Sequence, residues 1–120
     1  MENLIFVYKE IMSLPKETNW VQFKNSECTA LEISELIPLI AHNTYLAGMD
    51  HGYIVWGVER EMSHVVGTTF KPYQVKKGKK NLITWLSSLY QPNIELHFLE
   101  LLIEHKPIVI LEIGAKKQGK

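Results

Sequence analysis

The run Tyr53-Ile54-Val55-Trp56, closing at Gly57-Val58, constrains the fold more than any other stretch of the chain. A continuous apolar run rich in β-branched and aromatic residues reads as a strand covered on both faces. Side chains alternate across a strand, so Tyr53, Val55 and Gly57 share one face, and Ile54, Trp56 and Val58 the other. Arg60 to Ser63 read as a connecting loop. His64 to Phe70 read as a return strand carrying Val65, Val66, Thr68 and Thr69. The expectation is an antiparallel hairpin at the centre of a sheet. Gly57 and Gly67 interrupt its strands, either where a side chain has no room or where the sheet needs ease of twist.

The flanking elements follow from periodicity. Leu4, Ile5, Tyr8, Ile11 and Met12 give helical spacing from about Glu2 to Ser13, closed by Pro15. Trp20 to Lys24 read as a first strand, with Val21 and Phe23 on one face and Trp20, Gln22 and Lys24 on the other. Thr29 followed by Glu32 is a capping-box pattern that opens a second helix, with Ile33, Leu36, Ile37 and Ile40 as its buried stripe. Pro38 lies inside that helix and cannot donate to the carbonyl of Ser34, so a kink is expected. The helix frays out near Asn43 to Gly48, where His42 and Asn43 are placed to cap it. Lys71 to Lys80 form a polar connection, and Leu82, Trp85, Leu86 and Leu89 a third helix ended by Pro92. Ile94 to Leu102 and Pro107 to Ile113 read as two last strands turning at Glu104, His105 and Lys106. The fold class is therefore α+β, with a mixed, mostly antiparallel sheet, a central hairpin and about three helices.

Composition narrows the function. A chain of 120 residues fits one domain with a real core. Thirteen basic residues balance thirteen acidic ones, so no global field draws the chain to nucleic acid or membrane. Cys28 is the only cysteine, which leaves no disulfide framework and no thiolate zinc site. Glu2, Lys9 and Glu10 make the first segment unlike a signal peptide, and no apolar run reaches membrane-spanning length. A soluble protein of the reducing cytoplasm is the simplest reading. His42, His51, His64, His97 and His105 show no metal-ligand spacing. Gly78-Lys79-Lys80 lacks the earlier glycine of a phosphate-binding loop.

Three segments resemble a known family. Glu17-Thr18-Asn19-Trp20-Val21-Gln22-Phe23-Lys24 is similar to its "ET-x-W-V-E-F-K" signature. Gly52-Tyr53-Ile54-Val55-Trp56-Gly57-Val58-Glu59 is similar to its "G-Y-L-V-W-G-I-E" strand, and Val65-Val66-Gly67-Thr68-Thr69-Phe70 to its "V-V-G-T-T-F" return strand. The family is the Schlafen AlbA-2 domain, assigned to DNA binding in bacterial proteins. The resemblance spans about residues 17–113 of a single domain, 1–120. It implies the N-terminal part of a longer protein, or a short form. An ATPase-like region and a winged helix often follow in that family, whose members are labelled transcriptional regulators, ATP-binding proteins or RecG-related helicases. The partners it implies are DNA or RNA, an ATPase-like region of the same or another chain, and further copies of the chain.

Eukaryotic Schlafen relatives include RNA-cleaving enzymes that use three carboxylates, which hold a divalent metal that activates water. On this resemblance Glu17 matches the first position and Glu59 lies near the third. The second falls on Gln22, whose neutral amide supplies no charge. The alternative for Glu17 is a cap or ion pair, and for Glu59 a solvated strand end. The expectation is a binding domain with no cofactor of its own and no cleavage; a divalent metal belongs only to a degenerate nuclease. Lys71, Lys76, Lys77, Lys79 and Lys80 crowd one short segment, with Lys79 and Lys80 expected at a helix start, where the dipole disfavours cations. They read either as a solvated loop or as phosphate contacts, extended by Lys24 and by Lys116, Lys117 and Lys120 if these lie alongside. A domain for oligomerisation, or for docking an ATPase region, is the third class.

Overall fold

Tyr53 to Trp56 lie at the centre of the sheet, as their continuous apolar run requires. The computed structural model describes residues 4–16, 18–24, 29–90 and 93–115. Strand β2 (His51–Trp56) lies between β1 (Val21–Lys24), parallel to it, and β8 (Lys106–Gly114), antiparallel. Strand β7 (Leu96–Ile103) pairs with the far side of β8, giving the order β1-β2-β8-β7. Helices α1 (Leu4–Met12), α2 (Ala30–Leu46) and α3 (Leu82–Tyr90) complete an α+β fold.

The neighbours of β2 differ from expectation. His64 to Phe70 do not return along it. After Gly57 only Val58–Glu59 (β3) and His64–Val65 (β4) pair, as a small separate ribbon. Gly57 has a φ of +105°, which breaks the ladder. Its carbonyl accepts from both Val66 and Gly67 N–H, and Thr68 N–H then donates to Pro107 C=O. The segment thus crosses the start of β8 instead of extending the sheet. The turn at Gly57 also upsets the alternation: Val58 joins the side of Tyr53 and Val55, not that of Ile54 and Trp56. A Cβ on Gly57 would stand 2.8 Å from Ile108 Cδ1 and 3.1 Å from Pro107 O, so the absence of a side chain serves packing as well as conformation.

Two cores form on the two faces of the sheet. One joins Ile54, Trp56, Leu111 and Ile113 to Ile33, Ile37 and Ile40 of α2 and Leu82 and Leu86 of α3. Phe70, from the crossing segment, packs tilted against Trp56, with ring centroids 4.7 Å apart. The other core joins Tyr53, Val55, Ile108 and Ile110 to Val7 and Ile11 of α1. Arg60, expected in a plain loop, binds the end of α1: its guanidinium donates to the Leu14 and Met12 carbonyls and lies over the Phe23 ring.

Helix α2 starts on the anticipated cap. Glu32 N–H donates to Thr29 Oγ1 at 3.1 Å, and Thr29 N–H to Glu32 Oε1 at 2.8 Å. These bonds, the backbone one first, with the nearby Lys24 charge, hold the Glu32 carboxyl below its ordinary value. The helix runs through Asn43 to Leu46, so His42 and Asn43 do not cap it. Ala47 N–H closes it on Asn43 C=O, and Asn43 Nδ2 reaches back to Asn19 C=O. Pro38 leaves the Ser34 carbonyl without its helical donor, and the Tyr90 hydroxyl of α3 donates there instead.

Candidate nucleic-acid interface

The polar connection 71–81 is folded. Pro72–Gln74 form a single 3-10 turn, and Lys76–Lys77 (β5) pair with Lys80–Asn81 (β6). Between these strands Gly78 takes a φ of +65° and Lys79 does not, as a type II′ turn demands. Leu82 N–H donates to Val75 C=O at 2.8 Å, closing the ribbon onto α3. Helix α3 therefore begins at Leu82, not at Lys79 and Lys80. Its cap is the Asn81 side chain, which accepts from Thr84 N–H at 2.8 Å. The signal for this cap, an Asn one residue before the apolar period, is present in the sequence.

This ribbon brings Lys76, Lys77, Lys79 and Lys80 together, all exposed. Lys77 stands directly opposite Lys80, a like-charge pair that weakens a ladder. Lys77 Nζ lies 5.5 Å from the centroid of the half-buried Trp85 ring, a cation–π contact. Among the described residues no carboxylate pairs with these four lysines. Sequence adds a signal that the lysine count alone misses: from Met62 to Ile94 the chain contains five lysines and no Asp or Glu. The balanced net charge conceals a segment of one sign.

The remaining candidates are dispersed. Lys71 is exposed and lines a shallow hollow with Phe70 and Glu100. Lys24 ends β1, an edge strand of the sheet, and its charge acts on Glu32, whereas the ribbon packs on α3. Glu59 is half-buried in β3, opposite His64. Gln22 is half-buried on β1 beside Ile54 in the register of β2. Glu17, Lys116, Lys117 and Lys120 lie outside the described residues. Among the described residues no three His, Cys, Asp or Glu side chains are grouped so as to hold a metal ion. Among them too, no helix is long and apolar enough to cross a membrane. No protein-family model matches the chain, and none of the curated proteins compared with it matches.

Proposed function

We propose that the chain is a nucleic-acid-binding module of the AlbA-2 kind, which holds phosphates with Lys76, Lys77, Lys79 and Lys80. One observation carries this reading: four exposed lysines stand on a tight ribbon inside an acid-free stretch, two of them directly opposed. Such a ribbon costs local stability and gains nothing from burial, so a ligand of opposite charge accounts for it better than folding does. Trp85, half-buried with its ring centroid 5.5 Å from Lys77 Nζ, offers a ring beside the charges. Lys71, in the hollow with Glu100, and Lys24, on the edge strand β1, are more distant contributors. In this reading the domain binds and does not cut, since Gln22 stands where the resembling signature has Glu. Within a regulator or RecG-related helicase it would hold DNA or RNA for an ATPase region.

The test is fluorescence anisotropy with duplex DNA, single-stranded DNA and structured RNA across a salt series. Phosphate contact predicts a log–log slope near −0.9 per contact on duplex DNA, reduced by about one when a single lysine becomes Ser. Relative affinity among base sequences should hold, because phosphate contacts carry no base information. If the variant with all four lysines changed to Ser binds every probe as the parent does, the proposal is wrong.

A further inference from the structure

We propose that the hollow between the end of α1 and the turn from α2 into β2 is a binding site for a methylated ammonium group. The hollow holds about 390 Å³ and lies on the α1 face of the sheet, away from α3 and the lysine ribbon. That volume falls in the range of small-molecule sites, about 300–1,000 Å³. Its floor comes from the core, since Ile11 and Tyr53 are 2% and 9% exposed. Its sides are Leu14 and Trp20, both half-buried, and the exposed Met49. The backbone fixes these sides. Trp20 C=O accepts from Tyr53 N–H at 3.0 Å, Leu14 N–H donates to Ile11 C=O at 3.2 Å, and Asp50 C=O accepts from Ala115 N–H at 3.0 Å. The hollow is thus framed by main-chain bonds, and changes to its rim side chains leave that frame in place.

Charge and lining together choose the ligand. Glu10 and Asp50 line the hollow, and neither Lys nor Arg does; His51, which also lines it, is a single ring against two carboxylates. Both carboxylates are exposed, and among the described residues neither is paired with a cation. A phosphate or carboxylate ligand is therefore repelled, and a cation is drawn. A bare metal ion needs several oxygen ligands close together, and no three His, Cys, Asp or Glu side chains among the described residues are grouped to hold one. A compact, strongly hydrated ammonium gains little from Leu14, Trp20 and Met49. Methylation keeps the charge and replaces its N–H donors with an apolar shell. That shell suits aromatic rings and a thioether, and tryptophan attracts cations more strongly than the other aromatics do. Trp20 and Tyr53 supply the rings, Met49 the thioether, and Glu10 and Asp50 the opposite charge.

The test titrates the full chain with choline and follows the Trp20 indole N–H signal in two-dimensional NMR, assigned with Trp20→Phe. Saturable binding with a Kd of about 1 mM or tighter is expected. The neutral isostere of choline, with a tert-butyl group in place of trimethylammonium, has the same shape without the charge and should bind about tenfold more weakly. Glu10→Gln with Asp50→Asn should weaken choline about tenfold and leave the thermal melt unchanged, because both side chains are exposed. Trp20→Leu should weaken it by a similar factor. A peptide carrying trimethyllysine, compared with the same peptide carrying unmodified lysine, identifies the source of the cation. Peptide binding tighter than choline assigns a protein side chain, and the reverse assigns a free small molecule. If neither methylated cation shifts the Trp20 signal, the proposal is overturned. Equal binding of the neutral isostere would overturn it too, and so would a double amide variant that binds choline as the parent does.

Discussion

The Tyr90 hydroxyl should matter to the fold only because Pro38 is in α2. Pro38 has no N–H, so the carbonyl of Ser34 lacks its helical donor, and Ser34 is 6% exposed. The Tyr90 O–H fills that vacancy from α3 and thereby ties the two helices on this face of the sheet. Leaving a buried carbonyl without a donor costs about 1–3 kcal/mol. Tyr90 is only partly buried, so water recovers some of this, and Tyr90→Phe should cost about 1–1.5 kcal/mol. In a domain of this size that lowers Tm by roughly 3–8 °C. Pro38→Ala returns an N–H to the Ser34 carbonyl. In that background the same Tyr90→Phe change should cost under about 0.5 kcal/mol, a coupling near 1 kcal/mol in the double-mutant cycle. Chemical denaturation of the four proteins measures it. Equal losses in both backgrounds would show that the hydroxyl does not substitute for the missing N–H. A pH series adds an independent readout. Burial, and then the charge of Glu35, raise the Tyr90 pKa above its ordinary 10.0. The folded state therefore holds the proton more tightly than the unfolded chain. This contribution is complete below pH 10 and is lost as pH rises through the folded value; Tyr90→Phe should make the alkaline decline shallower.

Gly52→Ala should be more damaging than its small size suggests. The new Cβ would lie 2.3 Å from Thr44 Oγ1, 2.6 Å from Ile40 Cγ2 and 2.7 Å from the Trp20 carbonyl. A loss of about 3 kcal/mol or more in denaturant is expected, and a near-neutral result would mean that α2 and β2 can move apart. Trp56→Ala should cost about 3–5 kcal/mol. Trp56→Phe should be close to neutral, because the buried indole N–H has no hydrogen-bond partner among the described residues and its removal offsets lost packing; equal losses for both would contradict this. The Glu32 carboxyl, held below its ordinary 4.5, contributes stability above that value that is lost as pH falls through the lower folded one. Glu32→Gln keeps the capping geometry and should flatten that part of the acid limb in pH-dependent melts; an unchanged limb would assign it to other carboxylates.

What could be read from the chain was local. Thr29 and Glu32 announce the start of α2 through groups three residues apart, and the structure places both bonds of the cap there. The turn between the last strands is short in sequence, and Glu104 and His105 do take the positive φ it needs. The partners of β2 were not legible. A continuous apolar run says that both faces of a strand are covered, but not which strands lie at its edges. Proximity in sequence favoured His64 to Phe70. The long β8 instead forms six consecutive pairs with β2, and Gly57 turns the chain aside before a hairpin can extend. The need for Gly52 was equally hidden, because its constraint comes from Thr44 and Ile40 on a helix that only the fold brings near. The lysines were visible as a cluster. Their ribbon was not, since strands of two residues carry no periodicity.

The ribbon's position makes the functional proposal separable from stability. Its backbone is anchored by Leu82 N–H on Val75 C=O, and Asn81 caps α3 independently of any lysine. None of the four lysine side chains enters either core. Changing them to Ser removes charge and one ring contact, that of Lys77 with Trp85, while the turn at Gly78 and the cap at Asn81 persist. Relief of the Lys77–Lys80 opposition works the other way, toward a steadier ribbon. A loss of nucleic-acid binding in a variant that melts at or above the parent's temperature would therefore come from the charges themselves. A loss accompanied by a lower melt would instead point to Trp85 having moved, and Trp85→Phe with the lysines intact would separate the two effects.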